Sequence, residues 1–153
     1  MEIIDKLDLD ILSLLIQDAK IPYKDIAGKH KISLGTVHTR IKKLEAHEII
    51  NNYTVDVDFS KIGYELSAFI GLIIDGKSHQ AVARQLTDID EITELHHTSG
   101  QFHMLAKVIC TNTQQLKNVL INKINKIKGI EKTETTISLV QLFSRPASVA
   151  KPS

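Results

Sequence analysis

The sequence predicts an α+β chain: an N-terminal winged-type helix-turn-helix domain followed by a ferredoxin-like βαββαβ domain. Three observations lead there. The first part of the chain carries apolar residues at helical spacing, interrupted by two short turns. The second part alternates strand-like and helix-like segments in the order βαββαβ. Charge is split between neighbouring segments. Residues 2–18 hold Glu2, Asp5, Asp8, Asp10 and Asp18 against Lys6, whereas residues 29–43 hold Lys29, Lys31, Arg40, Lys42 and Lys43 and no acid.

The elements follow in order. Leu7, Ile11, Leu14 and Leu15 form one helical stripe, with Asp5 placed to cap it. Leu9, Leu12 and Ile16 make a second apolar side, which calls for a second contact such as a partner chain. Lys20-Ile21-Pro22 breaks the helix, and a short one over Tyr23–His30 buries Ile26 and Ala27. Lys31-Ile32-Ser33 is a three-residue turn ending in a good N-cap. A third helix, Leu34 to about His47, turns Val37, Ile41 and Leu44 inward. Asn51–Asp58 alternates and is expected to be a strand; Phe59–Tyr64 is a linker or turn.

The second part starts with a strand over Leu66–Asp75, apolar on both faces. Ser78 is expected to cap a helix carrying Val82, Leu86 and Ile89. Strands Ile92–Thr98 and Phe102–Ile109 flank a turn at Ser99-Gly100-Gln101. Thr113 is expected to cap a longer helix with the stripe Leu116, Val119, Leu120, Ile124 and Ile127, ended by Gly129. Ile130–Leu142 is the last strand. With helices on one sheet face only, the other keeps apolar residues, which predicts self-association. The expected domains are 1–60 and 61–143, with a flexible tail over 144–153.

Composition sets the outer limits. The 153 residues are 42% hydrophobic and 24% charged, close to ordinary globular usage and unlike a disordered chain. The longest apolar run, Ala68–Ile74, is too short to span a bilayer. The acidic start MEIIDKLDLD is neither a secretory signal nor an Arg-rich transit peptide. A cytoplasmic location with no membrane partner is expected. The single cysteine, Cys110, excludes an internal disulfide and is read as a buried small hydrophobe.

The third helix carries the functional signal. Opposite Val37, Ile41 and Leu44 lie Gly35, Thr36, Thr39, Lys42 and Lys43, flanked by His38 and Arg40, with Ser33 at the cap. Small residues near a helix N-terminus can approach base edges, and later cations can meet phosphates. Ser33, Gly35, Thr36, His38, Thr39, Arg40, Lys42 and Lys43 are therefore the candidate contacts to double-stranded DNA.

Five segments carry a family resemblance: LDLDILSLL (7–15), DIAGKHKISLGTVHTRIKKLE (25–45), FIGLII (69–74), TSGQFHMLAKV (98–108) and TETTISL (133–139). In this order they resemble the Lrp/AsnC family of leucine- and asparagine-responsive regulators. FIGLII, TSGQFH and LINKI (120–124) are closer to the asparagine-responsive branch. The resemblance implies a sequence-specific transcription regulator modulated by a small amino-acid effector, asparagine being the first candidate. It implies homodimers through the C-terminal sheets, assembled up to octamers, with paired helix-turn-helix units on DNA. It implies an effector loop at Thr98, Ser99, Gly100, Gln101, Phe102 and His103, faced by Thr133, Glu134 and Thr135. Two positions depart from the family. An acid is common where His103 stands, and an imidazole cannot replace a carboxylate as an ammonium acceptor. Glycine is common where Glu48 stands, which predicts a different end to the third helix.

Other chemistries find little support. His96, His97 and His103 surround one hairpin, but adjacent strand residues face opposite sides, so only His97 and His103 can pair; no metal site is expected. No glycine-rich phosphate loop follows a strand, no catalytic constellation emerges, and no cofactor beyond the effector is expected. Two alternatives are an architectural DNA-binding protein without an effector, and a tetrapyrrole decarboxylase of related two-domain arrangement. The intact basic third helix argues against the enzyme.

Overall fold

The computed structural model describes residues 4–149. Glu2, counted above in the acidic segment, and residues 150–153 of the expected tail lie outside the described residues. The described chain forms two compact units, one of residues 4–56 with 143–149, the other Val57–Leu142.

The first unit is built on α1 (Lys6–Gln17), α2 (Tyr23–His30) and α3 (Leu34–Ala46). Asp5 caps α1 in a reciprocal capping box with Asp8, each carboxylate accepting the other's backbone N–H at 3.0 Å. Ser33 caps α3 by accepting the Thr36 N–H at 3.0 Å. Ile11, Leu15, Ile26, Ala27, Val37 and Ile41 form the core. Leu9, Leu12 and Ile16, the second apolar side of α1, are half-buried. Leu12 and Ile16 line a groove with Ile49, Tyr53, Pro146 and Val149. Part of the expected tail therefore lies along α1, without regular structure.

Two expectations for this unit are corrected. Residues 51–58 form no strand, and all eight are exposed. Alternation makes a segment able to pair, but a strand needs a ladder partner, and no described segment forms a backbone ladder with this one. The end of α3 is not a different one. Glu48 itself takes the left-handed conformation, at φ 55°. Its N–H donates to the Glu45 carbonyl at 3.0 Å and the Ile49 N–H to Leu44 at 2.9 Å. These are the paired reverse bonds of a glycine-type terminus, made here by glutamate.

The second unit is a four-stranded antiparallel sheet of β1 (Leu66–Ile74), β2 (Ile92–His97), β3 (Met104–Cys110) and β4 (Ile130–Ser138), in the order β2-β3-β1-β4. With α4 (His79–Thr87) and α5 (Thr113–Asn118), this is the ferredoxin-like βαββαβ arrangement. Ala68, Ile70, Leu72 and Ile74 of β1 and Met104, Ala106, Val108 and Cys110 of β3 point to the helices and are buried with Val82, Leu86, Leu116 and Val119. Alternation sends Ser67, Phe69, Gly71 and Ile73 to the other face.

Local details differ from expectation. β4 ends at Ser138, and Leu139, Val140 and Leu142 beyond it are exposed. They lie past the last ladder partner, Ser67 opposite Ser138. Ser78 makes no capping bond; its hydroxyl donates to Asp75 at 2.7 Å. The cap of α5 is Asn112, not Thr113, accepting the Gln115 N–H at 2.9 Å. The long helix expected from Thr113 is α-helical only to Asn118 and continues as a π-turn over Val119–Lys123 and a 3₁₀ turn over Ile124–Lys126. The extra residue buries Val119 together with Ile124, five positions later, and leaves Leu120 half-buried. It also brings Lys123 onto both oxygens of Glu91, at 2.7 and 2.6 Å.

Candidate nucleic-acid interface and effector loop

The candidate residues on α3 divide into two groups. Arg40 and Lys43 face α1. Arg40 pairs with Asp5 and, at 3.1 Å, with Asp8, and Lys43 pairs with the second Asp8 oxygen. The Asp8 side chain is fully buried. Burial pushes its carboxyl up, but Lys43, the Asp5 N–H and Arg40 together outweigh that and hold it below the ordinary carboxylate range. Asp5 is lowered too, by the Asp8 N–H first and then by Arg40. The charge split read from the sequence is thus partly an internal clamp between α1 and α3.

The other group faces outward. Gly35, His38, Thr39 and Lys42 are exposed, and Thr36 is half-buried. Lys42 makes no ion pair among the described residues. The Thr39 hydroxyl donates to the Gly35 carbonyl at 2.9 Å, so it presents lone pairs and a methyl outward. The Ser33 and Thr36 hydroxyls bond each other at 2.8 Å. The His38 ring stands edge-on to Tyr23, centroids 4.8 Å apart. A Cβ built on Gly35 would meet only Ser33 Oγ, at 3.7 Å. Packing therefore does not require glycine there, although glycine in a helix costs about 1 kcal/mol relative to alanine.

The loop between β2 and β3 is held at its ends. The Thr98 N–H donates to the His103 carbonyl at 3.0 Å, the Thr98 hydroxyl to Phe102 at 2.6 Å, and the His103 N–H to Leu72 at 2.8 Å. The Phe102 ring lies on Gly71, where a built Cβ would come within 2.5 Å of it, so only glycine fits beneath. Ser99, Gly100 and Gln101 are exposed. His103 Nδ1 sits on the Ile74 backbone, 3.0 Å from its nitrogen and 2.9 Å from its oxygen, next to a register shift in the β1–β4 ladder.

The three β4 candidates separate. Glu134 lies opposite Gly71, on the face that carries Phe102. Thr133 and Thr135 point the other way and line a groove of about 340 Å³ with Leu116, Lys117, Leu120 and Ile121. The structure therefore does not bring all the loop and β4 candidates together. It adds one histidine that sequence spacing did not point to. His79, the first residue of α4, packs against both His97 and His103, with ring centroids 5.3 and 5.2 Å apart. Among the described residues, no group of His, Cys, Asp or Glu is arranged to hold a metal ion.

With this geometry in place, comparison with known proteins decides the family. Residues 67–148 match the Lrp/AsnC ligand binding domain, and residues 4–51 match a winged helix-turn-helix DNA-binding domain. The chain belongs to the Lrp/AsnC family. It is 37% identical over 138 residues to the regulatory protein AsnC of Escherichia coli K12, covering 90% of this chain and 91% of that protein. An uncharacterised helix-turn-helix-type transcriptional regulator of Pyrococcus furiosus is 34% identical, over 89% of this chain and 91% of its own length. The solved structure of E. coli AsnC superposes with a TM-score of 0.89 at 35% identity, covering 95% of this chain and 99% of that one. A Neisseria meningitidis regulator solved as an L-Met complex superposes with a TM-score of 0.88, covering 96% of each chain; at 17% identity that likeness is one of fold. This Lrp/AsnC chain is a DNA-binding transcription regulator. Among its described residues no helix is long and apolar enough to cross a membrane.

Proposed function

We propose that this Lrp/AsnC chain binds duplex DNA as a homodimer or larger assembly, with α3 of paired copies in successive major grooves. We assign the contacts to Gly35, Thr36, His38, Thr39 and Lys42, with Ser33 shaping the helix start. The observation that carries this is the division on α3: Lys42 is exposed and makes no ion pair among the described residues, whereas Arg40 and Lys43 are bound to α1. An amino acid bound near the β2–β3 loop modulates assembly and so selects the DNA geometry. The Neisseria relative solved with L-Met supports an amino acid as the ligand class. Asparagine is the first candidate from the name and likeness of the E. coli relative. The open sheet face, with Phe69 exposed, and the exposed Leu139, Val140, Leu142 and Phe143 supply the apolar surface for self-association. The protein works in the cytoplasm.

Salt-dependent DNA binding tests the division. Lys42→Ala is expected to weaken all sequences alike and to lower the slope of log affinity against log salt by about 1. Arg40→Ala is expected to lower stability while leaving that slope nearly unchanged. If Lys42→Ala changed neither affinity nor slope, the wrong face of α3 would have been assigned.

A further inference from the structure

Three histidines meet at one end of the sheet, on the side covered by α4. His79 opens α4, His97 ends β2 opposite Met104, and His103 ends the loop. The His79 ring contacts both others, tilted by 52° and 41°. His103 engages the Ile74 backbone through Nδ1, which leaves Nε2 as its free nitrogen. His79 Nδ1 is buried and has no hydrogen-bond partner among the described residues. The oxygens of the neighbouring Asp75 already accept the Lys77 N–H at 2.8 Å and the Ser78 hydroxyl at 2.7 Å. The loop joining His97 to His103 adds donors. Among the described residues, the N–H groups of Ser99, Gly100 and Gln101 bond to nothing in the protein.

This is a donor-rich, acid-poor corner. Imidazoles offer N–H donors, and positive charge once protonated, and free loop N–H groups add to an environment that favours an anion. A carboxylate gains from such partners through charge-assisted hydrogen bonds, roughly twice as strong as neutral ones; a side-chain amide oxygen accepts from the same donors but brings no charge of its own, and gains less. We propose that the histidine corner receives the side-chain carboxylate of an acidic amino acid, so that the ligand of this protein is aspartate or glutamate rather than an amide. His97 and His103 Nε2 donate to that carboxylate, and His79 backs both rings. The proposal rests on the amino-acid reading above and replaces asparagine, its first candidate, with an acid.

Calorimetric titration of the full chain with L-aspartate, L-glutamate, L-asparagine and L-glutamine, as sodium-matched solutions, is the test. At least tenfold tighter binding of one acid over its amide is expected. His103→Asp should reverse that preference, since aspartate can still accept the Ile74 N–H and the fold is kept. His79→Gln should narrow the preference while amide binding persists. If the amides bind as tightly as the acids, the acidic ligand is refuted and the amino-acid reading stands. If none of the four binds, the acidic ligand is refuted, and titration with the other sixteen amino acids decides whether the amino-acid reading falls with it. If a folded His103→Asp protein keeps the original preference, the histidine corner is not the site.

Discussion

Asp8 is the buried charge on which the helix-turn-helix geometry turns, and its replacement by asparagine isolates that charge. The side chain is fully buried and meets Arg40 at 3.1 Å as well as Lys43. Hydrogen bonds to charged groups are worth about 1.5–3 kcal/mol each. The two together are not lost in full. Arg40 keeps Asp5, and the Arg40 and Lys43 side chains are 28% and 31% exposed, so water takes up part of their charge. Asparagine also still accepts the Asp5 N–H, and Asp5 still accepts the backbone N–H of residue 8, so the capping box is kept. A cost of about 2–3 kcal/mol follows. In a unit of this size that corresponds to a fall in melting temperature on the order of 10–20 °C. Urea unfolding of the full chain, followed by circular dichroism and by amide exchange in α1 and α3, measures it. Adding Lys43→Met to Asp8→Asn should cost less than the two single changes summed, by about 1–2 kcal/mol. The pH dependence has a defined sign. The Asp8 carboxyl is held below its ordinary value, so its contribution is complete above about pH 4 and is lost as pH falls through the folded value. Asp8→Asn should flatten that acid limb. A loss below about 0.5 kcal/mol would refute the clamp and make the contacts incidental.

Two other predictions concern the backbone. Glu48→Gly should raise stability by about 1 kcal/mol, because a left-handed residue other than glycine carries a cost of that order at the end of α3; an unchanged or lower melting temperature would contradict this. Gly71→Ala should destabilise the second unit by about 1–3 kcal/mol, because the new methyl would occupy the place of the Phe102 ring. Phe102→Ala in the same chain should recover part of that loss, and thermal unfolding of the single and double variants reads it.

How much could be read in advance varies with the kind of feature. Val37, Ile41 and Leu44 announced the inner face of α3, and all are buried, because helical period alone decides which positions share a face. The order βαββαβ was equally legible, since each element carries its own pattern. The π-turn after Asn118 was not. A stripe at Leu116, Leu120 and Ile124 satisfies an ordinary helix, and only the packing that buries Val119 with Ile124 and draws Lys123 to Glu91 selects the wider turn. The candidate loop residues were legible by resemblance, but their grouping was not. Strand alternation separates Glu134 from Thr133 and Thr135, and that separation could have been read from the period of two.

By itself the sequence determined what depends on neighbours along the chain: the helices and the caps at Asp5 and Ser33, the chain order βαββαβ of the second unit, and the outward group at Gly35, Thr39 and Lys42. Tertiary structure decided what depends on distant residues. Residues 51–58 alternate like a strand but meet no strand to pair with among the described residues. Arg40 and Lys43 count as basic residues of α3 in any tally of charge, yet α1 carries the carboxylates that claim them. His79 joins His97 and His103 only because the first turn of α4 packs over the ends of two strands. Local pattern sets the direction in which a side chain leaves the backbone; what it meets there is a property of the whole fold.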